Sequence, residues 1–444
     1  MTDERKLPQG RLSRLTQLAR VGARTGASLL LGSDGGQAAA QQAAEVLGSL
    51  RGLAAKVGQM ASYVDGMVPD SHRDAYQTAL RGLRAAAPSS SPQQIRQLVE
   101  SELGAPIDRL FVEWTDTPFA SASIGQVHRA RLPEDSSHPG LEVAVKVQHP
   151  GIATAVENDL QNASVLRQFV ETLGPRNLNS KRPFEEIKQR FREELDYRLE
   201  AERQRVFAAL HAGDPDIDIP HVVADRSAGR VLTSAFKQGV SLDEAATESE
   251  DLRRRYAEVL WRFVFKGNLV GGLFNADPHP GNYLFQPDGR VVFLDFGCIQ
   301  PILPTNLELA RSLHCAALSR DERWFAETAR QLLQTRGGAF EADAIGYTRR
   351  CFEPVFRDRY LITRDYVKTL VEGVMAMKQH VFVKDSGFVP LPEGILFMNR
   401  LQFGFYSVLA QLQVEVSYEQ VEREILAASG LLRSAPTGPA STRR

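Results

Sequence analysis

Two aspartates and an asparagine, in the stretch NADPHPGNYLFQPDGRVVFLDFG from Asn275 to Gly297, have the types and spacing for phosphate chemistry. Four residues separate Asp277 from Asn282, giving D-x-x-x-x-N, and Asp295 opens an Asp-Phe-Gly. An Asp and an Asn on one loop, with a second Asp further along, can hold magnesium against the phosphates of a nucleotide. That is also the spacing of a catalytic loop for phosphoryl transfer. The intervening residues must then bring the acidic ends together. Tyr283-Leu284-Phe285, a Pro287-Asp288-Gly289 turn and Val291-Val292-Phe293-Leu294 predict a two-stranded hairpin that does this. Read bit by bit, the stretch is only a hairpin with ordinary turn chemistry; the agreement of order and spacing favours the site.

Other residues fall into place around that pair of loops. LEVAVKVQ, from Leu141 to Gln148, alternates strongly and carries one lysine, Lys146. Alternation sets Ala144 and Lys146 on one face and Val143, Val145 and Val147 on the other. Such a lysine suits pairing with α- and β-phosphates, whereas on an edge strand it would only guard against aggregation. A lysine in that role needs a carboxylate on a following helix. Glu194, Asp196 and Glu200 are the candidates, in a charged helix expected from Phe184 to about Leu210. Asp196 and Glu200 share a face at i,i+4, and Glu194 is rotated away. Ahead of the lysine strand, Ala120-Ser121-Ala122-Ser123-Ile124-Gly125-Gln126 offers small side chains and hydroxyls where phosphates could lie against backbone. Alanine reaches positive φ less readily than glycine, so this turn is expected to be stiff. Thr233 to Gly239, with Ala235 and Phe236, stands where backbone groups could hold an adenine.

Composition narrows the classes. The chain has 444 residues, 43% of them hydrophobic and 24% charged, the make-up of a globular protein of two or three domains. A formal net charge of −1 gives no global field for nucleic acid. Cys298, Cys315 and Cys351 lack metal-ligand spacing and fit a reducing compartment. No secretory signal is read at the start, and no run of about 18 apolar residues predicts a membrane span. The expected location is the cytoplasm. Arg11, Arg14, Arg20 and Arg24, beside Leu12, Leu15, Leu18 and Val21, could make a basic amphipathic helix for peripheral membrane contact. A solvated helix docked on the body accounts for them equally well.

Five segments follow from the pattern. A basic stretch over 1–36 precedes a helical extension over 37–110, in which Ser91 caps a helix from Pro92 to Leu103. The strands with Lys146, and inserted helices, occupy 111–238. An α-rich half with the catalytic loop occupies 239–432, and 433–444 is a polar tail. The plan is α+β: a two-lobed kinase-like fold with a helical N-terminal extension and an α-rich second lobe.

Four motifs together resemble one family, the UbiB/AarF atypical kinase-like proteins, from about residue 40 to about 300 and more loosely to about 415. They are Lys56-Val57-Gly58-Gln59, the alanine-rich Ala120 to Gln126, Glu194-Leu195-Asp196, and the pair formed by Asn275 to Asn282 with Asp295-Phe296-Gly297. The resemblance implies ATP with Mg2+ or Mn2+, and an ATPase-like activity supporting ubiquinone or other isoprenoid-lipid metabolism, with a lipid or quinone precursor as partner. It implies that Lys56 and Gln59 lie beside the nucleotide with Glu194 and Asp196 near them. It also implies that Glu200 pairs with Lys146, that Asp277 is the catalytic base, and that Asn282 and Asp295 bind metal. Its extension packs over the face where a protein substrate would dock. Asn275 departs from the family, which usually has His there, and Ser121 interrupts the alanine run. Two further readings stand beside the enzyme: a nucleotide-gated pseudokinase holding a lipid or biosynthetic partner, and a true protein kinase.

Overall fold

The computed structural model describes residues 90–122, 124–161, 189, 192–379, 387, 389 and 395–434. Lys56, Gln59, the basic helix and Ser123 lie outside the described residues, as do 162–188 and 435–444.

The chain divides into two compact units, Met1–Leu199 with Val222–Phe236, and Glu200–His221 with Lys237–Arg444. In the first, α1 (Pro92–Leu103) begins where the sequence sets it: Ser91 accepts from Gln94 N–H, Pro92 opens the first turn, and Gly104 ends the helix at φ 72°. After it come β1 (Glu113–Trp114), β2 (Ala120–Ser121), β3 (Gly125–Arg131), β4 (Glu142–Gln148) and α2 (Ile152–Gln161). Then α3 (Tyr197–Leu210) takes the chain into the second unit, where β5 (Ile217–Asp218) lies, before β6 (Val231–Ala235) returns it to the first.

The sheet of the first unit is antiparallel in the order β1-β3-β4-β6, with β2 paired to β3. The alternation predicted for β4 is met, with Val143, Val145 and Val147 fully buried and Lys146 half-buried on the other face. Those valines pack with Ile95, Leu98 and Val99 of α1 and with Val223 and Val231 in one core. Burying the valines and the helix stripe contributes about 2 kcal/mol per side chain, and this holds β4 in register.

The charged helix is not continuous. Leu195 forms a turn, Asp196 belongs to neither helix nor strand, and α3 starts only at Tyr197. The cause is local: Asp196 Oδ1 accepts the Arg198 N–H at 3.0 Å, so its carboxylate caps the new helix instead of lying on a helix face. The i,i+4 face read for Asp196 and Glu200 is corrected accordingly.

In the second unit, α4 (Glu250–Leu269) has Ser249 as its cap and is buried from Tyr256 onward over most of its length. After it come β7 (Leu273–Asn275), β8 (Tyr283–Phe285), β9 (Val291–Phe293) and β10 (Ile299–Pro301). The predicted hairpin is β8–β9, antiparallel with Tyr283 opposite Phe293, and β5 adds to β9 in parallel. β10 pairs with β7 and sets Asn275 opposite Ile299. The rest is helical, as expected: α5 (Pro304–Leu318), α6 (Glu322–Leu333), α7 (Gly338–Cys351), α8 (Arg364–Gln379), α9 (Ile395–Leu412) and α10 (Tyr418–Ala428). The C-terminal half of α9 is buried from Phe403 to Ala410. A two-stranded ribbon, Tyr360–Leu361 with Glu415–Val416, had no signal in the pattern.

Within this unit, Glu422 is fully buried and joins three helices. It accepts from Trp261 Nε1 at 3.1 Å and meets His314 Nδ1 at 2.6 Å. Tyr418 lies against the Trp261 ring at 4.2 Å.

Candidate functional site

In the second unit the hairpin brings the acidic loops together, and backbone bonds fix them. His279 N–H donates to the Asp277 carbonyl at 2.8 Å, and Asn282 N–H donates to the His279 carbonyl at 2.9 Å. Asn282 Nδ2 donates to the Asp277 carbonyl at 2.9 Å. The far side of the hairpin is tied back by Leu294 N–H to the Asn282 carbonyl at 3.0 Å, and Ala276 N–H donates to Cys298 O at 2.8 Å. Asn275 joins the loops directly: Nδ2 donates to the Asp295 carbonyl at 2.7 Å, and Oδ1 accepts the Asp277 N–H at 3.0 Å. Asp277, Asn282 and Asp295 therefore form one constellation, as their spacing predicts.

The Asp-Phe-Gly turn is held at several points. Asp295 Oδ1 accepts the Gly297 N–H at 2.9 Å, and the Gly297 carbonyl accepts from Arg203 of α3 at 2.8 Å. Phe296 is buried against Phe207 and Phe263. Glu200, one turn before Arg203, is only 4% exposed. A Cβ on Gly297 would lie 3.7 Å from its Oε2 and 3.2 Å from Asp295 Oδ1, so Glu200 lies close to the Asp-Phe-Gly turn. Burial pushes the Tyr283 hydroxyl well above the phenol range, and the negative charge of Asp277 adds to this. The sequence reading missed Arg203 and the close packing of Gly404 of α9 on Pro278, where an added Cβ would sit 2.5 Å from Cγ.

These donors suit a hard divalent cation, which takes oxygen ligands from one or two side chains together with phosphates. Asn282 has committed its nitrogen to Asp277 O, which leaves its amide oxygen as the donor atom. Asp295 supplies a carboxylate. Among the described residues no three His, Cys, Asp or Glu side chains form a closed metal cage. Asn282 and Asp295 are the side chains that could hold such an ion.

In the first unit, β2 and the turn after it run along β3: Ala120 pairs with Val127 and Ser121 with Gln126, and Ala122 N–H donates to Gly125 O at 2.9 Å. None of Ala120, Ser121 or Ala122 adopts positive φ, and neither does Gly125. Gly125 is needed for space instead, since a Cβ there would lie 2.3 Å from Val147 O and 2.9 Å from the Tyr197 hydroxyl. Val127 next to this turn pairs with Lys146. The Lys146 ammonium lies 5.1 Å from the centre of the Tyr197 ring, in cation–π range. Gln148 Nε2, at the end of β4, donates to Leu195 O at 2.8 Å, which anchors the Glu194-Leu195-Asp196 turn to the lysine strand. Ala235 pairs with Val143, and Phe236 N–H donates to Glu142 O at 2.9 Å just before the chain leaves the unit. Phe236 also packs against Phe119 and lies under the Arg129 guanidinium. The structure thus gathers Lys146 with the small-residue turn in one unit, and Glu200 with the acidic loops in the other.

An antiparallel sheet with one mid-strand lysine, and an α-rich unit with an Asp/Asn loop and an Asp-Phe-Gly turn, are the parts of a protein-kinase-like α+β fold. Residues 82–329 match the model of the ABC1 atypical kinase-like domain, and the chain belongs to that family, the UbiB/AarF group. It is 30% identical over 312 residues to the mitochondrial atypical kinase COQ8B of Rattus norvegicus, covering 66% of this chain and 57% of that protein. It is 28% identical over 284 residues to the mitochondrial atypical kinase COQ8 of Saccharomyces cerevisiae, covering 64% and 55%. The chain therefore spans little more than half the length of these relatives. A solved structure, a complex of Rv3197 with erythromycin from Mycobacterium tuberculosis, matches at a TM-score of 0.61 and 28% identity, over 88% of this chain and 95% of that one. Among the described residues no helix is long and apolar enough to cross a membrane.

Proposed function

We propose that the chain binds ATP with Mg2+ or Mn2+ and works as an atypical kinase-like ATPase or phosphotransferase, in support of ubiquinone or other isoprenoid-lipid metabolism. The observation that carries this reading is the hydrogen-bonded constellation of Asp277, Asn282 and Asp295, with Asn282 presenting an amide oxygen. Membership of the ABC1 family and relatives named atypical kinases support the kinase-like part. The resemblance to UbiB/AarF proteins carries the lipid part.

Each residue has a role in this reading. Asn282 and Asp295 hold the cation, which when bound neutralises phosphate charge as the terminal phosphoryl group leaves. Lys146 neutralises the α- and β-phosphates, and Glu200 is its carboxylate partner. Ala120, Ser121, Ala122 and Ser123 cover the phosphates with backbone and hydroxyl groups, and the backbone at Ala235 and Phe236 holds the adenine. Asp277 orients the acceptor and takes its proton, the acceptor being water or a small lipid-linked hydroxyl. Lys56 and Gln59 stand beside the nucleotide with Glu194 and Asp196, and shield it from protein substrates. Membrane contact is peripheral.

The test is ADP release with magnesium or manganese, with and without anionic liposomes and phenolic quinone-precursor mimics. Asp295→Asn should lower the rate by at least about a hundredfold, since it removes the charged ligand that would hold the cation against the transferring phosphate. An unchanged rate in that variant would sink the reading.

A further inference from the structure

We infer that Asn275 is the positioning residue that sets the separation between the base-bearing loop and the metal-bearing loop, and that it does so as a two-ended amide strut. The inference rests on the function proposed above and deepens it.

Asn275 is the last residue of β7, held in register by β10, so its Cα is fixed by the sheet. From that point the amide reaches both loops at once, donating to the carbonyl of Asp295 and accepting the N–H of Asp277. Both contacts are to backbone, so the side chain fixes where the two loops run without using either carboxylate. Only a group with a donor and an acceptor on one planar end fills both contacts. Aspartate keeps the acceptor and loses the donor, setting a carboxylate against the Asp295 carbonyl. Leucine keeps the approximate size and loses both bonds. Histidine can restore them, with one ring nitrogen donating and the other accepting, when it is neutral.

The role differs from that of a ligand. Both amide atoms of Asn275 are engaged by the backbone of the loops, which makes its part in the site positional. Losing it should loosen the separation of Asp277 from Asp295, raising the magnesium requirement and slowing turnover together, while nucleotide without metal binds as before. Two ordinary hydrogen bonds correspond to about a 10- to 30-fold effect.

Three measurements on the full chain test this at about pH 8, where a histidine is neutral. The first, free of nucleotide and metal, is hydrogen exchange at the Asp277 amide, which Asn275→Leu should speed about tenfold or more. The second is the magnesium concentration for half-maximal binding of a non-hydrolysable ATP analogue, expected to rise about 10- to 30-fold in Asn275→Leu and in Asn275→Asp. The third is rescue: Asn275→His should return both values to within about threefold of the native chain. Native exchange at Asp277 in Asn275→Leu, with an unchanged thermal midpoint, overturns the strut, and so does a failed rescue by a well-folded Asn275→His. If instead the native chain binds no nucleotide and Asp295→Asn changes nothing, the proposed function fails, and the exchange result still decides the role of Asn275.

Discussion

Acid should destabilise the second unit through one histidine, and replacing it should remove that sensitivity. His211 directly follows α3 and is 3% exposed, with its ring against Phe207 at 6.2 Å and Phe263 at 4.9 Å. Neither ring nitrogen has a hydrogen-bond partner among the described residues. Burial, with the positive charges of Lys266 and Arg262 behind it, lowers its pKa from 6.5 to about 3. The unfolded chain therefore takes up a proton on His211 below about pH 6.5, while the folded chain refuses it until about pH 3. The contribution is whole above that window and is lost as pH falls through it. At about 1.4 kcal/mol per unit, roughly 2 kcal/mol should go between pH 6.5 and 5. His211→Phe keeps the stack and has nothing to titrate. It should stabilise the chain by about 1 kcal/mol at neutral pH, by removing unpaired buried nitrogens. At about pH 5 the gain should widen to about 3 kcal/mol, read from urea unfolding of both proteins across the range. Parallel pH profiles for the two proteins would refute the reasoning, because they would mean that His211 accepts its proton equally well folded and unfolded.

The other expectations concern close packing. Gly125→Ala puts a Cβ against Val147 O and should cost about 1 to 3 kcal/mol, with weaker nucleotide binding in a fluorescence titration; a native midpoint and native affinity would count against it. Gly404→Ala presses on Pro278, next to Asp277, and should lower turnover about 10- to 100-fold at a nearly native thermal midpoint. Glu422→Ala leaves Trp261 Nε1 and His314 unpaired in the core and should cost about 3 to 5 kcal/mol. Glu422→Gln, which still reaches both, should cost about 1 to 3 kcal/mol, and equal losses in the two would show that packing, not pairing, is what Glu422 supplies.

What could be read from the chain was local. The alternation around Lys146, the cap at Ser91 and the turn at Pro287-Asp288-Gly289 each declare themselves within a few residues, and each is found. The acidic constellation was legible for the same reason, because a tight hairpin makes Asp277 and Asp295 neighbours without help from elsewhere. What escaped was distant or competitive. Arg203 lies 94 positions from the Gly297 carbonyl it holds, and no periodicity announces that. Gly404 looks like any small residue in an apolar helix until Pro278 is set against it. The helix through Glu194 was over-extended because charge periodicity continues across Asp196, whereas a carboxylate that can accept the N–H two residues on prefers to cap. β5 was missed because two residues carry no period, and its partner β9 is far along the chain.

The threading of the two units bears on how the protein is made. The chain passes from the first to the second after Leu199, returns at Val222 and leaves again after Phe236. A ribosome must therefore deliver β6 before the lysine strand gains its second neighbour, with α3 already synthesised but awaiting the helices that follow residue 237. No single scission separates the units cleanly, because a cut after Leu199 or after Phe236 leaves a piece of one unit on the fragment that holds the other. A premature stop between Leu199 and Val231 leaves β4 without β6 and its edge open. Shuffling between genes would have to move this pair together, so that Lys146 and the acidic loops are inherited as one piece.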